Sequence, residues 1–184
     1  MIRTGLGFDF HRLVPGRRLI LGGVLIDYHK GLEGHSDADV LLHAICDALL
    51  GAAGLEDIGH YFPNTDPEFQ DISSIMLVHR VVDKIRALGY TIINVDTMLW
   101  MEAPRVSPHR SQMKQRIAAA LKVEVTQVSV KATTMEGCGV IGRGEGIAAQ
   151  AVVTLSRSAP AEPRLEAGVK KSKTREPRRR KNAK

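Results

Sequence analysis

The sequence predicts an α+β protein in which three helices lie on one face of a mixed β-sheet. Two observations predict this class. Apolar segments typical of strands are interspersed with longer segments whose apolar residues recur at the helical period. These segments follow the order strand, strand pair, two helices, strand, helix and two strands, which lacks the regular alternation of an α/β fold. The length of 184 residues is enough for one domain with its own core.

The N-terminal part of the chain is predicted to form strands. An apolar run from Ile2 to Phe10 predicts the first strand, and Gly5 and Gly7 would let another backbone approach it closely. Residues 19–26 are apolar on both sides of two adjacent glycines, which predicts a hairpin or a bulged strand pair.

Capping residues and apolar periodicity predict the first two helices. The first helix is expected to start at Ser36 as N-cap, with Asp39 three residues later in the manner of a capping box, and to continue to about Leu50. A polar loop follows at residues 55–71. The second helix is expected at residues 72–88, because its apolar residues form one helical face and a glycine follows it.

The second half of the chain returns to strands. A third helix is expected to start at Ser107 as N-cap and Pro108 as first helical residue, and to end near Leu121. Strands are expected at residues 91–101, 128–134 and 147–155, and a loop with five glycines fills residues 136–146.

The charge is distributed unevenly along the chain, which predicts a domain at residues 1–155 and a disordered basic tail at residues 156–184. The tail holds 11 Lys and Arg against 3 Glu, whereas residues 1–155 hold 15 basic and 17 acidic residues. The net charge of +6 therefore comes from the tail, which has too few apolar residues to offset the entropy of ordering. A nucleic-acid-binding domain is disfavoured, and nucleic acid is expected to bind, if at all, through the tail.

A reducing, cytoplasmic setting is expected. No apolar run approaches the roughly 20 residues that cross a membrane, and the N-terminus lacks the basic and apolar regions of a secretory signal. Cys46 and Cys138 make no disulfide framework. A plastid or mitochondrial matrix stays open for a chain that has already been processed.

One carboxylate and two imidazoles predict a divalent-metal site. Asp9 and His11 are residues i and i+2 of a strand, so their side chains point to the same face. His43 supplies a third ligand, and three N/O ligands leave a position open for substrate, as catalytic zinc sites do. Asp47, one helical turn after His43, is expected to hold its second ring nitrogen. The alternatives are a chance Asp-x-His triplet and a surface His–Asp pair.

Two further segments have the chemistry of phosphate binding. His35 and Ser36 precede the first helix, where free backbone N–H groups attract an anion; the alternative is that Ser36 only caps the helix. Thr133 and Thr134 end a strand beside a glycine-rich loop, and hydroxyls with loose N–H groups suit phosphate oxygens. Glu136 suits a hard cation such as Mg²⁺. The alternative for this segment is an ordinary hairpin turn.

Three charged side chains are weaker candidates. Asp57 and Asp66, in the polar loop, could hold a sugar hydroxyl, although a turn-forming role is favoured for each. Arg105, at a strand end, could bind a phosphate.

Together these segments resemble the 2-C-methyl-D-erythritol 2,4-cyclodiphosphate synthase family of the non-mevalonate isoprenoid pathway. The resemblance covers essentially residues 2–155, through the motifs GFDFHRL, ILGGVLI, GHSDADVLLHAICDALLGAAGLEDIGHYFPNTDP, INVD, EAPR and VKATTMEGCGVIGRGEGIAAQAVV. It implies a phosphorus–oxygen lyase: the 2-phosphate of a cytidine-diphosphate methylerythritol attacks the β-phosphorus, and CMP leaves. Positioning and charge stabilisation carry most of the catalysis in phosphoryl transfer.

The resemblance also implies roles for single residues. The ligands implied for zinc, or another divalent transition metal, are Asp9, His11 and His43. Glu136 would hold a second cation, Mg²⁺ or Mn²⁺, while His35 and Thr134 would stabilise the transition state. Substrate binding is also implied for five of these residues, Asp9, His11, His35, Thr134 and Glu136. The other residues implied in substrate binding are Ser36, Asp57, Ile58, Gly59, Phe62, Pro63, Asn64, Thr65, Asp66, Ala103, Pro104, Arg105, Thr133, Met135 and Arg143.

The assembly implied by the resemblance is a homotrimer with each active site between two subunits. Three positions depart from the family pattern: Met135 stands where a third threonine is usual, Arg105 where a lysine is common, and Val140 where relatives have a phenylalanine. Two other functions stay open, a zinc phosphohydrolase that uses water as nucleophile, and a binder of nucleic acid or anionic surfaces acting through residues 170–184.

Overall fold

A five-stranded mixed sheet is the centre of the fold. The computed structural model describes residues 1–157. Its strands are β1 (Ile2–Pro15), β2 (Leu19–Leu21), β3 (Val24–Ile26), β4 (Lys30–Leu32), β5 (Thr91–Trp100), β6 (Val128–Thr133) and β7 (Gly146–Ser156). The large sheet has the order β4-β1-β7-β5-β6, and β2 pairs with β3 in a separate antiparallel hairpin, as the sequence predicted. Only β5 and β6 run parallel in the large sheet.

The longer helices pack over this sheet. The helices are α1 (Val40–Ala53), α2 (Ile58–Tyr61), α3 (Ser74–Ala87), α4 (Arg110–Leu121) and α5 (Gly139–Gly142). α1 lies against β1 and β7, α4 packs against β6, and α3 packs against α1 and α4. The predicted mixed α+β class is confirmed.

Two glycines of β1 set its distance from α1. A Cβ atom on Gly5 would lie 2.0 Å from the carbonyl oxygen of Ala48, and one on Gly7 would lie 2.0 Å from that of Ala44. Both contacts are with backbone, so no side chain could move aside to admit a larger residue. This close approach brings the C-terminal half of β1 next to the first turn of α1.

The opposite face of the sheet carries several exposed apolar side chains in the single chain. Leu6, Phe8 and Val152 are 60%, 53% and 38% exposed. Leu6 and Val152 are register partners in β1 and β7, and the ring of Phe8 lies 5.8 Å from that of Trp100 in β5. Because side chains alternate across a strand, these residues point away from α1.

Two predicted helix starts are wrong. α1 starts at Val40, because Asp39 and not Ser36 accepts the first helical N–H groups. The buried Asp39 carboxylate also accepts the N–H groups of Gly22 and Gly23, at 2.9 and 2.6 Å, so it ties the β2–β3 hairpin to the helix. α4 starts at Arg110, since residues 107–109 form turns in front of it.

Two segments predicted as loops contain short helices. Residues 55–71 hold α2 and a 3₁₀ turn at Pro67–Phe69, and residues 136–146 hold α5. Hydrophobic periodicity cannot reveal helices of three or four residues, because they complete only about one turn.

The predicted disordered tail lies outside the described residues, apart from Ser156, which ends β7, and Arg157. Among residues 1–157, none of the helices combines the length and the apolar character that crossing a membrane requires.

Candidate active site

The side chains of Asp9, His11 and His43 meet at one point. Asp9 and His11 are alternate residues of β1, and His43 lies in the first turn of α1. Asp9 Oδ2 is 3.0 Å from His11 Nε2 and 3.0 Å from His43 Nδ1, and the two ring nitrogens are 3.2 Å apart. We call these three atoms the ligand triangle. The predicted convergence of the three residues is confirmed.

The ligand triangle has the dimensions of a zinc site. Ligand atoms about 2.0–2.1 Å from a tetrahedral zinc ion lie about 3.3 Å from one another. The observed separations of 3.0 and 3.2 Å are close to that value. Two imidazoles and a carboxylate are also donors that divalent transition metals accept readily. The residues therefore fit a metal with three protein ligands and an open position.

Hydrogen bonds hold the outer nitrogen of each imidazole. His11 Nδ1 donates to the carbonyl oxygen of Glu33 over 2.5 Å. His43 Nε2 lies 2.9 Å from Ser74 Oγ and 3.3 Å from Ser36 Oγ. Each ring thereby turns its other nitrogen toward the triangle, and such partners fix the orientation of metal-binding imidazoles.

The prediction that Asp47 holds His43 is wrong. Asp47 Oδ1 instead accepts the backbone N–H of Ile58 at 2.8 Å, which ties the start of α2 to α1. The hydroxyl of Ser74, from the start of α3, takes the place next to His43. Helical spacing correctly put Asp47 near His43, but it could not show that α3 supplies a closer partner.

Burial and mutual hydrogen bonds set the protonation of the ligand triangle. Burial by itself raises the pKa of Asp9, but the hydrogen bonds from His11 and His43 outweigh it and hold that pKa well below its usual range. Burial by itself lowers the pKa of His11, but Asp9 outweighs it and raises that pKa above its ordinary value. Asp9 is therefore ionised at neutral pH, while a proton on His11 competes with a metal.

An arginine fastens the segment that carries His35. The guanidinium of Arg17 donates to the carbonyl oxygens of Leu32, Gly34 and Ser36, at 3.3, 3.1 and 2.8 Å. A planar guanidinium can make several such bonds at once, which a lysine cannot. Arg17 thus fixes the backbone on both sides of His35.

Contrary to the prediction, the first helix does not present its N-terminal N–H groups beside His35 and Ser36. The helix begins four residues after Ser36, and the Asp39 carboxylate already takes the N–H groups of Leu41 and Leu42. The alternative, that Ser36 caps the helix, is wrong as well, because its hydroxyl accepts the N–H of Ala38.

A cavity of about 370 Å³ opens beside the ligand triangle. The predicted site residues on its wall are His11, His35, Ser36, His43, Ile58, Gly59, Phe62, Pro63 and Asn64. Asp57 and Asp66 accept the N–H groups of His60 and Glu68, so both have the turn-forming role that the sequence favoured.

A second cavity, of about 210 Å³, collects other predicted residues. The predicted site residues on its wall are Pro104, Arg105, Thr133 and Thr134. It shares no lining residue with the first cavity. A single chain therefore divides the predicted site into two parts.

The segment after β6 presents Glu136 in an unusual backbone conformation. Glu136 has a φ of 51°, and its Oε1 accepts the hydroxyl of Thr134 at 2.6 Å. Glu102 supports this turn, since its Oε1 accepts the N–H groups of Met135 and Gly137 at 2.7 and 3.4 Å. Glu136 is not part of the group that forms the ligand triangle.

Arg143 lies apart from both cavities. Its guanidinium forms an exposed ion pair with Glu145, at 2.7 Å.

Sequence reasoning missed four residues that support the site. Ser74 and Asp37 lie behind His43, Arg17 fastens the His35 segment, and Glu102 supports the turn at Glu136. Each acts across a long separation in the chain, so no local spacing indicates its role. Glu102 and Asp37 lie inside the motifs that carry the family resemblance, which is the only signal that pointed to them.

Comparisons with known proteins agree with this geometry. A family model described as the YgbB family matches residues 2–156. The chain belongs to the YgbB family.

Curated relatives in this family carry the name 2-C-methyl-D-erythritol 2,4-cyclodiphosphate synthase. The protein from Moorella thermoacetica is 57% identical over 154 residues, which are 84% of this chain and 94% of the relative. The protein from Desulfatibacillum aliphaticivorans is 56% identical over 154 residues, which are 84% of this chain and 99% of the relative. The resemblance read from the motifs is confirmed.

Two solved structures share the fold of this chain. IspF from Plasmodium falciparum, solved as a CDP complex, has a TM-score of 0.77 at 33% identity, over 86% of this chain and 97% of that one. The bifunctional IspDF from Campylobacter jejuni has a TM-score of 0.82 at 42% identity, over 84% of this chain but 42% of that one.

Proposed function

We propose that this member of the YgbB family converts 4-diphosphocytidyl-2-C-methyl-D-erythritol 2-phosphate to 2-C-methyl-D-erythritol 2,4-cyclodiphosphate and CMP. It is then a phosphorus–oxygen lyase of the non-mevalonate isoprenoid pathway. The observation that carries the proposal is the ligand triangle of Asp9, His11 and His43 beside a cavity of about 370 Å³. Curated relatives at 56–57% identity bear the name of this synthase, and one solved relative is a CDP complex.

The reaction is an internal phosphoryl transfer. An oxygen of the 2-phosphate forms a bond to the β-phosphorus, and the bond between that phosphorus and the oxygen bridging to the α-phosphate breaks. CMP leaves with the bridging oxygen. Because nucleophile and electrophile belong to one molecule, the protein mainly has to hold the substrate in a folded conformation and offset its negative charge.

Asp9, His11 and His43 would hold zinc or another divalent transition metal. When bound, such an ion polarises the diphosphate and helps to orient it. The donor set and the separations of 3.0–3.2 Å within the triangle support this assignment. His11 and His43 also line the cavity, so an ion between them would be within reach of its contents.

Glu136 would hold a second cation, Mg²⁺ or Mn²⁺, which would offset the negative charge of the diphosphate. Its exposed carboxylate offers the oxygen ligands that hard cations prefer. His35, on the wall of the first cavity, and Thr134, on the wall of the second, would stabilise the charge of the transferring phosphoryl group by hydrogen bonds.

The substrate would span the two cavities. Its methylerythritol end would contact Ser36 and the segments 57–59 and 62–66, most of which line the first cavity. Its cytidine end would lie with residues 103–105 and Thr133 at the second cavity, beside Met135.

We assign the complete active site to an assembly rather than to one chain. The two cavities share no lining residue, which supports a site built from one cavity of each of two subunits. The exposed apolar face that contains Leu6, Phe8 and Val152 supports an interface between subunits. The assembly that fits the resemblance is a homotrimer, with Arg143 near its axis.

Residues 1–155 would form the catalytic domain, and residues 156–184 a separate basic tail. The residues assigned to metal and substrate all lie in the first of these ranges. We expect a cytoplasmic location, because Cys46 and Cys138 are free cysteines and a reducing compartment keeps thiols in that state.

Phosphorus NMR of a reaction with the cytidylyl substrate, zinc and Mg²⁺ tests the proposal. Cyclic diphosphate and CMP are expected. A linear phosphate product would contradict cyclisation and identify a zinc phosphohydrolase instead. Asp9→Asn should lower the rate at least about 100-fold, whereas Asp27→Asn, at an exposed aspartate outside both cavities, should leave it unchanged.

A further inference from the structure

The outer side of His43 is held by a pair of residues from outside the ligand triangle. We infer that Ser74 and Asp37 are positioning residues, which fix the His43 ring with Nδ1 toward the metal. This inference rests on the metal site of the proposed function, and it adds residues to which the sequence motifs gave no role.

The single hydroxyl hydrogen of Ser74 determines the direction of these hydrogen bonds. Ser74 Oγ donates a short hydrogen bond to Asp37 Oδ1, and both oxygens of Asp37 also accept backbone N–H groups. The Ser74 hydrogen is therefore donated to Asp37, and Ser74 Oγ accepts from His43 Nε2, 2.9 Å away. His43 therefore keeps a hydrogen on Nε2, and when a metal replaces the hydrogen bond between Nδ1 and Asp9, the lone pair of Nδ1 is the one left to bind it.

Asp37 and Ser74 are themselves held in place. Asp37 Oδ2 accepts the backbone N–H of Ser74 at 3.0 Å, and Asp37 Oδ1 accepts the N–H of Asp39 at 3.3 Å. Ser74 is completely buried at the first residue of α3. A buried polar side chain whose hydrogen bonds are all formed is held rigidly, because any other conformation would leave a buried donor or acceptor without a partner. The pair therefore links α3, the segment before α1 and the metal ligand His43.

Ser36 provides a second, weaker acceptor for His43. Its Oγ lies 3.3 Å from His43 Nε2 and accepts the N–H of Ala38 at 3.1 Å. Loss of the Ser74 hydroxyl should therefore loosen the ring rather than release it.

The zinc affinity of the full-length protein, measured by competition with a chromophoric chelator, tests the role of Ser74. Ser74→Ala is expected to weaken zinc binding about 10- to 100-fold, the usual effect of removing a partner of a metal-binding imidazole. Ser74→Thr keeps the hydroxyl and should recover most of the affinity. Ser73→Ala is the matched control, because Ser73 is exposed and makes no side-chain cap bond; it should bind zinc like the unchanged protein.

A double variant tests whether Asp37 acts through Ser74. Asp37→Asn is expected to weaken zinc binding by itself. Ser74→Ala combined with Asp37→Asn should bind no more weakly than Ser74→Ala alone, since residues that act in series are not additive. Additive losses would overturn the role given to Asp37.

Proton NMR of the zinc-loaded protein reports directly on the hydrogen bond of His43 Nε2. A change in the stability of the fold alone would not alter this signal. The Nε2 proton of His43 should exchange slowly with water in the unchanged protein and in Ser73→Ala, and should exchange faster in Ser74→Ala, where only Ser36 remains as acceptor. The inference is overturned if folded Ser74→Ala keeps the slow exchange or binds zinc with undiminished affinity. If Ser74→Ala does not fold, Asp37→Asn with undiminished affinity overturns it. Failure of the unchanged protein to bind zinc would instead contradict the metal site itself.

Discussion

At the scale of single residues, the chemistry depends on side chains whose partners lie far away in the chain. Asp9, His11 and His43 could be selected from the sequence because strand alternation and donor chemistry both pointed to them. Ser74, 31 residues after His43, could not, because only the packing of α3 brings its hydroxyl to the imidazole. Helical spacing identifies neighbours within one helix, so it pointed to Asp47, which lies in the same helix as His43. It could not point to Ser74, which lies in another helix.

The raised pKa of His11 predicts a pH dependence of zinc binding. Protonation of His11 stabilises the metal-free fold below the ordinary histidine value, near pH 6.5, and this contribution is lost as pH rises through the raised pKa. Zinc requires neutral His11, so its affinity rises over the same interval. Melting temperatures with and without zinc should therefore differ more at pH 8 than at pH 6.

The control for this prediction is a histidine outside the site. His11→Asn removes a metal ligand and should abolish most of the zinc-induced shift at both pH values, whereas His29→Asn, at an exposed histidine, should keep the shift and its pH dependence. A zinc-induced shift that is equal at both pH values would contradict the pKa assigned to His11.

Glu102 is predicted to support turnover without affecting the zinc site. Glu102→Ala removes the acceptor for Met135 and Gly137, so the turn that carries Glu136 should loosen and turnover should fall roughly 10- to 100-fold. Glu102→Gln keeps a carbonyl oxygen and should retain most of the activity. Steady-state kinetics beside zinc affinity checks this: a zinc affinity that falls together with turnover would show that Glu102 acts elsewhere.

At the scale of elements, the long strands and long helices were predictable, whereas the short strand β4 and the helix starts were not. The apolar run in β1 and the apolar face of α3 indicated both elements, whereas the starts of α1 and α4 were placed three and two residues too early. Ser36 resembles an N-cap in sequence, but its hydroxyl bonds to Ala38, and the buried Asp39 is the actual cap. Choosing between two capping residues depends on the hairpin that Asp39 also binds, and that contact is tertiary.

The contact between β1 and α1 is predicted to tolerate no side chain at Gly5. Gly5→Ala would place a methyl group 2.0 Å from the carbonyl oxygen of Ala48, so the helix would have to move. The free energy of unfolding should fall by about 1–3 kcal/mol, and zinc affinity should fall with it, because His43 moves with α1.

Gly51 offers the matched control in the same helix. A methyl group there would meet nothing closer than 3.9 Å, so Gly51→Ala should change stability by less than about 1 kcal/mol, in the stabilising direction. Urea denaturation of both variants checks this. Equal stability of Gly5→Ala and the unchanged protein would contradict the close packing of β1 on α1.

At the scale of the whole molecule, two features of the single chain indicate that it assembles with other subunits. Its site residues are divided between two cavities, and one face of its sheet carries exposed apolar side chains. The sequence alone suggested subunits only through the family resemblance.

The apolar face is predicted to hold the subunits together. Leu6→Glu would place a charge at a position that is 60% exposed in one chain and buried in the proposed assembly. Light scattering should show about 60 kDa for the unchanged protein, as expected for three subunits of 20.1 kDa, and a smaller mass for the variant. Met76→Glu, on an exposed position of α3, should leave the mass unchanged. A monomeric unchanged protein would contradict the assembly.

The basic tail is predicted to be separable from catalysis. Deletion of residues 158–184 should leave cyclisation unchanged and should abolish any salt-dependent binding to nucleic acid. Kinetics and binding measured on the two forms check this, and a loss of turnover would contradict the division at residue 155.

The central claim is that one divalent ion sits between Asp9, His11 and His43. Anomalous diffraction at the zinc edge, from crystals of the full-length protein grown with zinc, tests it most directly. The expected result is one strong peak per chain, about 2.0–2.2 Å from Asp9 Oδ2, His11 Nε2 and His43 Nδ1. A map without a peak at this position, or with zinc bound only elsewhere, would contradict the claim.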